Sequence, residues 1–329
     1  MDNPAQLITE PLYPEIKAYP WEVALFQCRP VRRLKHLSHF GGASFLSPVV
    51  HSRFEHTVGV WKLTAFYFPN DIELRVAALL HDIGHLPFSH AMEEALDFNH
   101  HQLTETYILE PEISTILQGA DLDAQKIISL LNNPSAITGK GNILGLDHLD
   151  SFLRDTYMAG ECSRLPRDVL RDIKCTPEGI ETDLETGNYV MKLMLADHRL
   201  FLSPIMVAID RLMAEAVKLH WQETTAHNRE AFARKTDAEV IAILTTSPSF
   251  KARKLIDMLR YEPFKIHINE VETGEGYPIS IRKIYKKAPL CGGKILTELS
   301  ERARQVLEDL KKLAFHLEVV VDLEEELVD

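Results

Sequence analysis

Apolar residues recur at intervals of three and four positions from about residue 20 to about residue 230. This spacing is typical of helices that bury one face. Glycine and proline residues separate the apolar stretches, and Asp71, which follows Pro69 and Asn70, is placed to cap a helix. The pattern predicts a helical core, with its clearest helices at residues 21–27, 56–67, 71–83, 90–96, 124–131, 148–158 and 204–220.

The pattern changes after about residue 175. Residues 180–193 carry a Thr-Gly-Asn sequence around Gly187 between short apolar runs, which predicts a hairpin. Helices resume to about residue 260, and the later sequence is typical of three strands and one helix, at residues 264–271, 277–285 and 315–321 and at residues 296–313. We therefore expect a mainly α fold, with a helical core at residues 1–230 and a small α+β subdomain at residues 231–329.

The composition is that of an ordinary globular protein, with 45% hydrophobic and 26% charged residues among 329. No apolar run reaches the roughly 18 residues that a membrane span requires. The N-terminal residues lack the basic start and apolar centre of a secretory signal, so we expect a cytoplasmic protein. The four cysteines form no C-x-x-C pair, which argues against a zinc ribbon or a disulfide framework.

The formal net charge of −12 disfavours a broad nucleic-acid interface, because such surfaces are usually basic. A local pocket for a small phosphorylated ligand is compatible with this charge. The candidate chemistry is concentrated in one segment, since seven of the fifteen histidines lie between residues 51 and 101.

The dipeptide His81-Asp82 ends a predicted helix whose preceding residues, 76–80, are all apolar. An ionisable aspartate carried out of a core is costly unless a cation or hydrogen-bond donors compensate it. Histidine and carboxylate together are an ordinary ligand set for a divalent metal ion. His56 and Asp147 add the same residue types from two further segments, and such a set leaves coordination positions open for water and phosphate oxygens.

Two further pairs have helical spacing. Arg53 lies three residues before His56, on the same face of the predicted helix, and a guanidinium group suits a phosphate oxygen. His90 and Glu93 have the same spacing, which lets the carboxylate orient the imidazole for proton transfer. These residues favour a metal-dependent hydrolase of a phosphorylated substrate.

Three segments resemble the HD-domain superfamily of metal-dependent phosphohydrolases, whose ligands follow the order His…His-Asp…Asp. The segments are HSRFEHTVGV at 51–60, HDIGHLPFSH at 81–90 and LDHLDSFLRDTYMAG at 146–160. Their spacing and flanking letters are most similar to the deoxynucleoside triphosphate triphosphohydrolase branch, over roughly residues 25 to 220.

The resemblance implies three groups of site residues. The implied metal ligands are His56, His81, Asp82 and Asp147. The implied catalytic pair, which assists the attack on phosphorus, is His90 and Glu93. The implied substrate contacts are Arg53, His85 and His100 for phosphate, with His101 as the alternative to His100, and Asp155 for the sugar 3′-hydroxyl.

Several positions depart from the pattern of that branch. His148 takes the place of a lysine that usually follows the last metal ligand, and we keep it as a substrate contact. Ser151 replaces a tyrosine, and Phe201 and Ser203 replace a later Tyr-x-His pair. The metal ligands are therefore intact, while the residues expected to contact the triphosphate and the sugar are altered.

We expect a phosphohydrolase that acts on a nucleotide, with a (deoxy)nucleoside triphosphate as the leading substrate. One alternative is hydrolysis of a smaller phosphoester, a nucleoside monophosphate or a guanosine polyphosphate, including phosphodiesterase activity. The other is a non-catalytic module that senses nucleotides. The ligand set suits Mn, Fe, Co, Ni or Zn, and also Mg where substrate phosphates share its coordination. Relatives assemble as dimers or larger oligomers, so the resemblance also implies a homo-oligomer.

Overall fold

The computed structural model describes residues 8–224, 228–271, 273–281 and 284–323. Within them the chain is mainly α-helical, which confirms the predicted fold class. None of the described helices is both long and apolar enough to cross a membrane. The α-helices are α1 (Pro20–Gln27), α2 (Arg29–Arg33), α3 (Arg53–Tyr67), α4 (Ile72–Leu80), α5 (Glu93–Leu96), α6 (His100–Leu109), α7 (Pro111–Gly119), α8 (Ala124–Asn132), α9 (Leu146–Met158), α10 (Pro166–Val169), α11 (Leu184–Phe201), α12 (Pro204–Glu223), α13 (Arg229–Ala233), α14 (Asp237–Thr245), α15 (Phe250–Tyr261), α16 (Leu296–Leu299) and α17 (Glu301–Lys311).

Short strands form two small sheets beside the helices. The strands are β1 (Ile173–Thr176), β2 (Gly179–Thr182), β3 (His267–Asn269), β4 (Tyr277–Ser280), β5 (Leu290–Cys291), β6 (Lys294–Ile295) and β7 (His316–Val320). One sheet has the order β1-β2-β5-β6 and the other the antiparallel order β3-β7-β4. Because β5 pairs with β2, residues near 290 lie against the helical core. The subdomain boundary at residue 230 stays a prediction.

The hairpin predicted for residues 180–193 is wrong. The observed hairpin is β1-β2, and most of the predicted segment belongs to α11. Asp183 caps this helix by accepting a hydrogen bond from the backbone N–H of Thr186. A Cβ at Gly187 would lie 2.6 Å from Thr182 Oγ1, so this glycine permits close packing and makes no turn.

Other predicted boundaries change by smaller amounts. The helix predicted at 90–96 is a 3₁₀ turn (Ser89–Met92) followed by α5, and the helix predicted at 71–83 ends at Leu80. The helix predicted at 296–313 is broken at Ser300, whose hydroxyl caps α17 by accepting from Ala303 N–H. The predicted strands at 264–271 and 277–285 shorten to β3 and β4, and residues 282 and 283 lie outside the described residues.

The core around α3 fixes the helices that carry the candidate ligands. Trp61 is fully buried, and its ring meets the edge of Phe26 at a centroid distance of 5.1 Å. Its Nε1 donates to Glu22, which also pairs with Arg75 at 2.7 Å. Since a buried carboxylate requires such partners, these contacts lock α1, α3 and α4 together.

A second apolar cluster joins α12 to α14, α15 and the sheet formed by β3, β7 and β4. Asp237 links this half of the molecule to the candidate site. Its carboxylate accepts from the backbone N–H groups of Ser38 and Phe88, each at 2.7 Å. Burial raises the pKa of Asp237 to about 6, although both hydrogen bonds act in the opposite direction.

The contact between α3 and α9 depends on Gly59. A Cβ there would lie 2.1 Å from Asp150 Oδ1 and 2.4 Å from Arg154 Nη2, which form a buried ion pair on α9. Neither side chain can move away without exposing a buried charge. Glycine at this position therefore sets how closely the two helices approach.

We predict that Gly59→Ala lowers the free energy of unfolding by about 1–3 kcal/mol, because the added methyl group overpacks this contact. Gly119→Ala is the matched control, since Gly119 is also helical and a Cβ there would have no neighbouring atom within 4 Å. That substitution should be neutral or stabilising by up to about 1 kcal/mol. Urea unfolding measures both, and equal effects would contradict the packing argument.

Candidate active site

Helices α3 and α9 and the end of α4 bring all four predicted metal ligands together. His56 Nε2 lies 3.1 Å from Asp147 Oδ1 and 3.2 Å from His81 Nε2. His81 Nε2 in turn lies 3.4 Å from Asp82 Oδ1. Residues from three separate segments of the sequence thus place two imidazoles and two carboxylates around one point.

The hydrogen bonds behind the two histidines fix the direction of their lone pairs. His81 Nδ1 lies 2.7 Å from the carbonyl oxygen of Ala78, which can only accept, so this nitrogen carries the proton. His56 Nδ1 likewise donates to Asp150 Oδ2 at 2.8 Å. With each ring in this neutral tautomer, both Nε2 lone pairs would face each other and carboxylate oxygens, an arrangement that a shared cation would stabilise.

The electrostatics at His56 also favour a cation. Burial alone would lower the pKa of His56, but hydrogen bonds to Asp147 and Asp150 raise it to about 10. Asp150 is itself buried, which would raise its pKa, yet Arg154 and His56 bring the value to about 2. The donor set is thus chemically suited to a divalent ion held by His56, His81, Asp82 and Asp147.

Arg53 is held rigidly beside Asp82. Its Nη1 donates to Asp82 Oδ2 and its Nε to Ser89 Oγ, each at 2.6 Å. Phe88 and Ser89 have positive φ angles of 56° and 54°, and such conformations typically cost about 1–3 kcal/mol each. The hydrogen bonds to Arg53, Asp237 and the carbonyl of Ser38 maintain this strained turn, which leads directly into His90.

Next to the ligand group, Glu93 bridges two histidines. Its carboxylate lies 2.6 Å from His90 Nδ1 and 2.9 Å from His100 Nδ1. Burial would raise the pKa of Glu93, but the hydrogen bonds from His100 and His90 hold it well below its usual range. The ionised carboxylate therefore orients both rings, and the His90 side chain is 62% exposed.

His85 lies between this cluster and the ligand group. Its ring stacks on that of His100 with centroids 4.2 Å apart, and its Nε2 lies 3.2 Å from Asp82 Oδ1. Burial and the charge of Arg53 lower the pKa of His85 well below the usual value, so the ring is neutral.

A cavity of about 660 Å³ opens onto these groups. All the predicted site residues line it except Glu93, which supports His90 and His100. His148 stacks on Tyr285, a residue from the C-terminal segment, with ring centroids 4.3 Å apart. Asp155 lies deeper, and burial together with the nearby Asp197 carboxylate raises its pKa well above the usual value.

Several residues of the site were given no role from the sequence. Asp150 is three residues after Asp147, and this helical spacing was the available signal for its support of His56. His39, Asp197 and Tyr285 line the cavity, and His51 lies 3.2 Å from Asp155 beside it. These residues carry no comparable signal, because they come from segments far apart in the chain.

Comparison with known proteins agrees with the ligand pattern. Residues 53–172 match the family described as HD domain. The uncharacterized protein YdhJ of Bacillus subtilis is 28% identical over 245 residues, which cover 70% of this chain and 73% of that protein. A protein of Dictyostelium discoideum, described as deoxynucleoside triphosphate triphosphohydrolase SAMHD1 homolog, is 24% identical over 193 residues. That match covers 47% of this chain and only 37% of the Dictyostelium protein.

The fold is also shared with a solved structure. A phosphohydrolase from Bacteroides thetaiotaomicron superposes with a TM-score of 0.68 at 17% sequence identity, over 95% of this chain and 99% of that one. At this level of identity the match shows a common fold. Together with the grouped ligands, the match over residues 53–172 shows that the chain contains an HD domain and is similar to HD-domain phosphohydrolases.

Proposed function

We propose that this HD-domain phosphohydrolase acts on a nucleotide and that its substrate is a (deoxy)nucleoside triphosphate. The observation that carries the proposal is the convergence of His56, His81, Asp82 and Asp147 beside an exposed, carboxylate-supported His90 in one cavity. The volume of about 660 Å³ is within the range typical of small-molecule sites. The similarity to triphosphohydrolases supports the choice of nucleotide.

The ligand residues would hold one divalent ion, which when bound lowers the pKa of water and polarises a phosphoryl oxygen. Arg53 would contact a phosphate oxygen with Nη2, which makes no hydrogen bond within the described part of the chain. His85 and His100 would contact further phosphate oxygens from the same side of the cavity. These fixed donors would stabilise the charge that grows on the phosphoryl group.

His90 is the proposed proton-transfer residue. Because Glu93 accepts the hydrogen of Nδ1, the His90 Nε2 atom is left to receive or return a proton. The neighbouring turn at Phe88 and Ser89 restricts the position of the ring. Glu93 would act by keeping the proton of His90 on Nδ1 and the imidazole ring in this orientation.

A smaller phosphoester is the second candidate substrate. Arg53 is the one arginine or lysine among the described residues that line the cavity, and it already pairs with Asp82. His148 replaces the lysine of the triphosphate-cleaving relatives, and desolvation lowers its pKa, so the ring is largely neutral at pH 7. Fewer positive charges favour a substrate with fewer phosphates.

The cytoplasmic location and the homo-oligomeric state rest on sequence reasoning and stay predictions.

A phosphate-release panel tests the substrate. Purified protein is incubated with nucleoside tri-, di- and monophosphates, cyclic nucleotides and guanosine polyphosphates, each with Mn, Mg, Co or Ni, and products are identified by chromatography. We expect a nucleoside and intact tripolyphosphate. Stepwise release of orthophosphate would instead support the smaller phosphoester, and binding without turnover in every metal would support a nucleotide-sensing module.

His90→Ala should keep the metal ion and lose turnover by about 100- to 10,000-fold, which is the usual contribution of general acid–base catalysis. His267→Ala is the control, since this histidine is exposed on β3, outside the residues that line the cavity. Steady-state rates across pH and metal analysis of both variants provide the test. A His90→Ala enzyme with a wild-type pH profile would exclude the proton-transfer role.

A further inference from the structure

Beside the cavity lies a further group of potential metal ligands, separate from the proposed ligands and from the cluster of His85, His90, Glu93 and His100. His39, His51 and Asp155 each offer one ligand atom within 4.8 Å of the others. His51 Nε2 lies 3.2 Å from Asp155 Oδ1, and His39 Nε2 lies 3.7 Å from Asp155 Oδ2. Asp197 lies beside Asp155 and lines the same cavity.

Backbone pairing fixes the two histidines side by side. Ser38 and Ser52 form an antiparallel bridge, and the backbone N–H of His39 donates to the carbonyl oxygen of His51 at 3.0 Å. Their rings are stacked with centroids 4.8 Å apart. Asp155 reaches this pair from α9, so the group is assembled by the fold and does not depend on flexible side chains meeting by chance.

The polar atoms of this group are buried and unsatisfied. Both ring nitrogens of His51 and one oxygen each of Asp155 and Asp197 make no hydrogen bond among the described residues. The 3.2 Å contact between His51 Nε2 and Asp155 Oδ1 lacks the angles of a hydrogen bond. His51 is 4% exposed and Asp155 3%. A buried polar atom without a partner is unfavourable, so such an atom in a native fold usually has a partner such as an ordered water or an ion.

The charge around Asp155 differs from that around three other buried carboxylates. Glu22 pairs with Arg75, Asp82 with Arg53 and Asp150 with Arg154. In the described parts of the chain, the ion-pair partners of Asp155 and Asp197 are histidines alone, and neither carboxylate meets an arginine or a lysine. Two carboxyl groups therefore share a buried position beside histidines alone, with no arginine or lysine to neutralise them.

We propose that His39, His51 and Asp155, with Asp197 beside them, form a second divalent-cation site at the edge of the cavity. Imidazole and carboxylate ligands suit Mn, Fe, Co, Ni or Zn. This site adjoins the first, because the rings of His39 and His56 lie 4.7 Å apart. With few protein ligands, the ion keeps coordination positions open for an oxygen of the substrate, such as the sugar hydroxyl otherwise assigned to Asp155.

The occupancy of the two sites can be measured without any substrate. The full chain is stripped with a chelator and dialysed against Mn²⁺, and bound manganese per chain is measured by mass spectrometry. We expect two ions in the wild type and one in His51→Gln and in Asp155→Asn. His81→Ala should lose the ion held by His56, His81, Asp82 and Asp147 and keep one ion. His101→Gln is the control, because it alters a cavity histidine outside both groups, and it should keep two ions.

The number of manganese ions bound by each protein tests the two sites separately. One ion in the wild type that is lost in His81→Ala would overturn the second site and leave the proposed function intact. A shared proton or a water molecule would then occupy the space between His39, His51 and Asp155. Two ions in the wild type and still two in His51→Gln and Asp155→Asn would also overturn it. No ion in the wild type would reject both sites. Because His51→Gln and Asp155→Asn alter the site from two separate segments, one folded variant of the two is enough for a conclusion.

Discussion

The candidate site depends on the burial of four hydrogen-bond acceptors that face one another. His56 and His81 each use Nδ1 as a donor elsewhere, so their Nε2 atoms face carboxylates. A positive charge stabilises this arrangement strongly, because the local dielectric constant is low. The raised pKa of His56 places that charge on its ring as a proton when no metal ion is bound, and a divalent ion would supply it otherwise.

The rest of the structure supports that arrangement through buried ion pairs. Arg154 neutralises Asp150, which holds His56, and Gly59 leaves room for the pair between α3 and α9. Arg53 neutralises Asp82 on the opposite side. Such pairs contribute little net stability, but removing one partner leaves a buried charge without a partner, which is strongly unfavourable. The pairs therefore specify one geometry for the ligands.

The sequence predicted the elements whose signals are local. The helix before His81 was found because a continuous apolar run follows a capping aspartate, and Asp71 does accept from Leu74 N–H at 3.0 Å. The helices α6 and α7 were missed: α6 buries little besides Thr104, Tyr107 and Ile108, and its beginning is polar. Gly187 was misassigned because a packing glycine and a turn glycine look alike without knowledge of the neighbouring helix.

The residues of the candidate site were likewise predicted where they lie in compact motifs and missed where distant segments assemble them. The predicted ligands and the pair His90 and Glu93 meet as expected, because each lies in a compact motif with helical spacing. The group of His39, His51 and Asp155 could not be predicted, since a backbone bridge and a helix from distant parts of the chain assemble it. Tyr285 reaches His148 only through the packing of the C-terminal segment.

Thermal unfolding of the stripped protein with and without Mn²⁺ tests whether His56, His81, Asp82 and Asp147 hold a metal ion, with Asp147→Asn as the comparison. This variant replaces a carboxylate that lies 3.1 Å from His56 Nε2 with a neutral amide, which is a weaker metal ligand. We expect Mn²⁺ to raise the Tm of the wild type, because a ligand that binds only the folded state stabilises it. The rise should be smaller in Asp147→Asn. No rise in the wild type, or an equal rise in both proteins, would contradict a metal ion held by these residues.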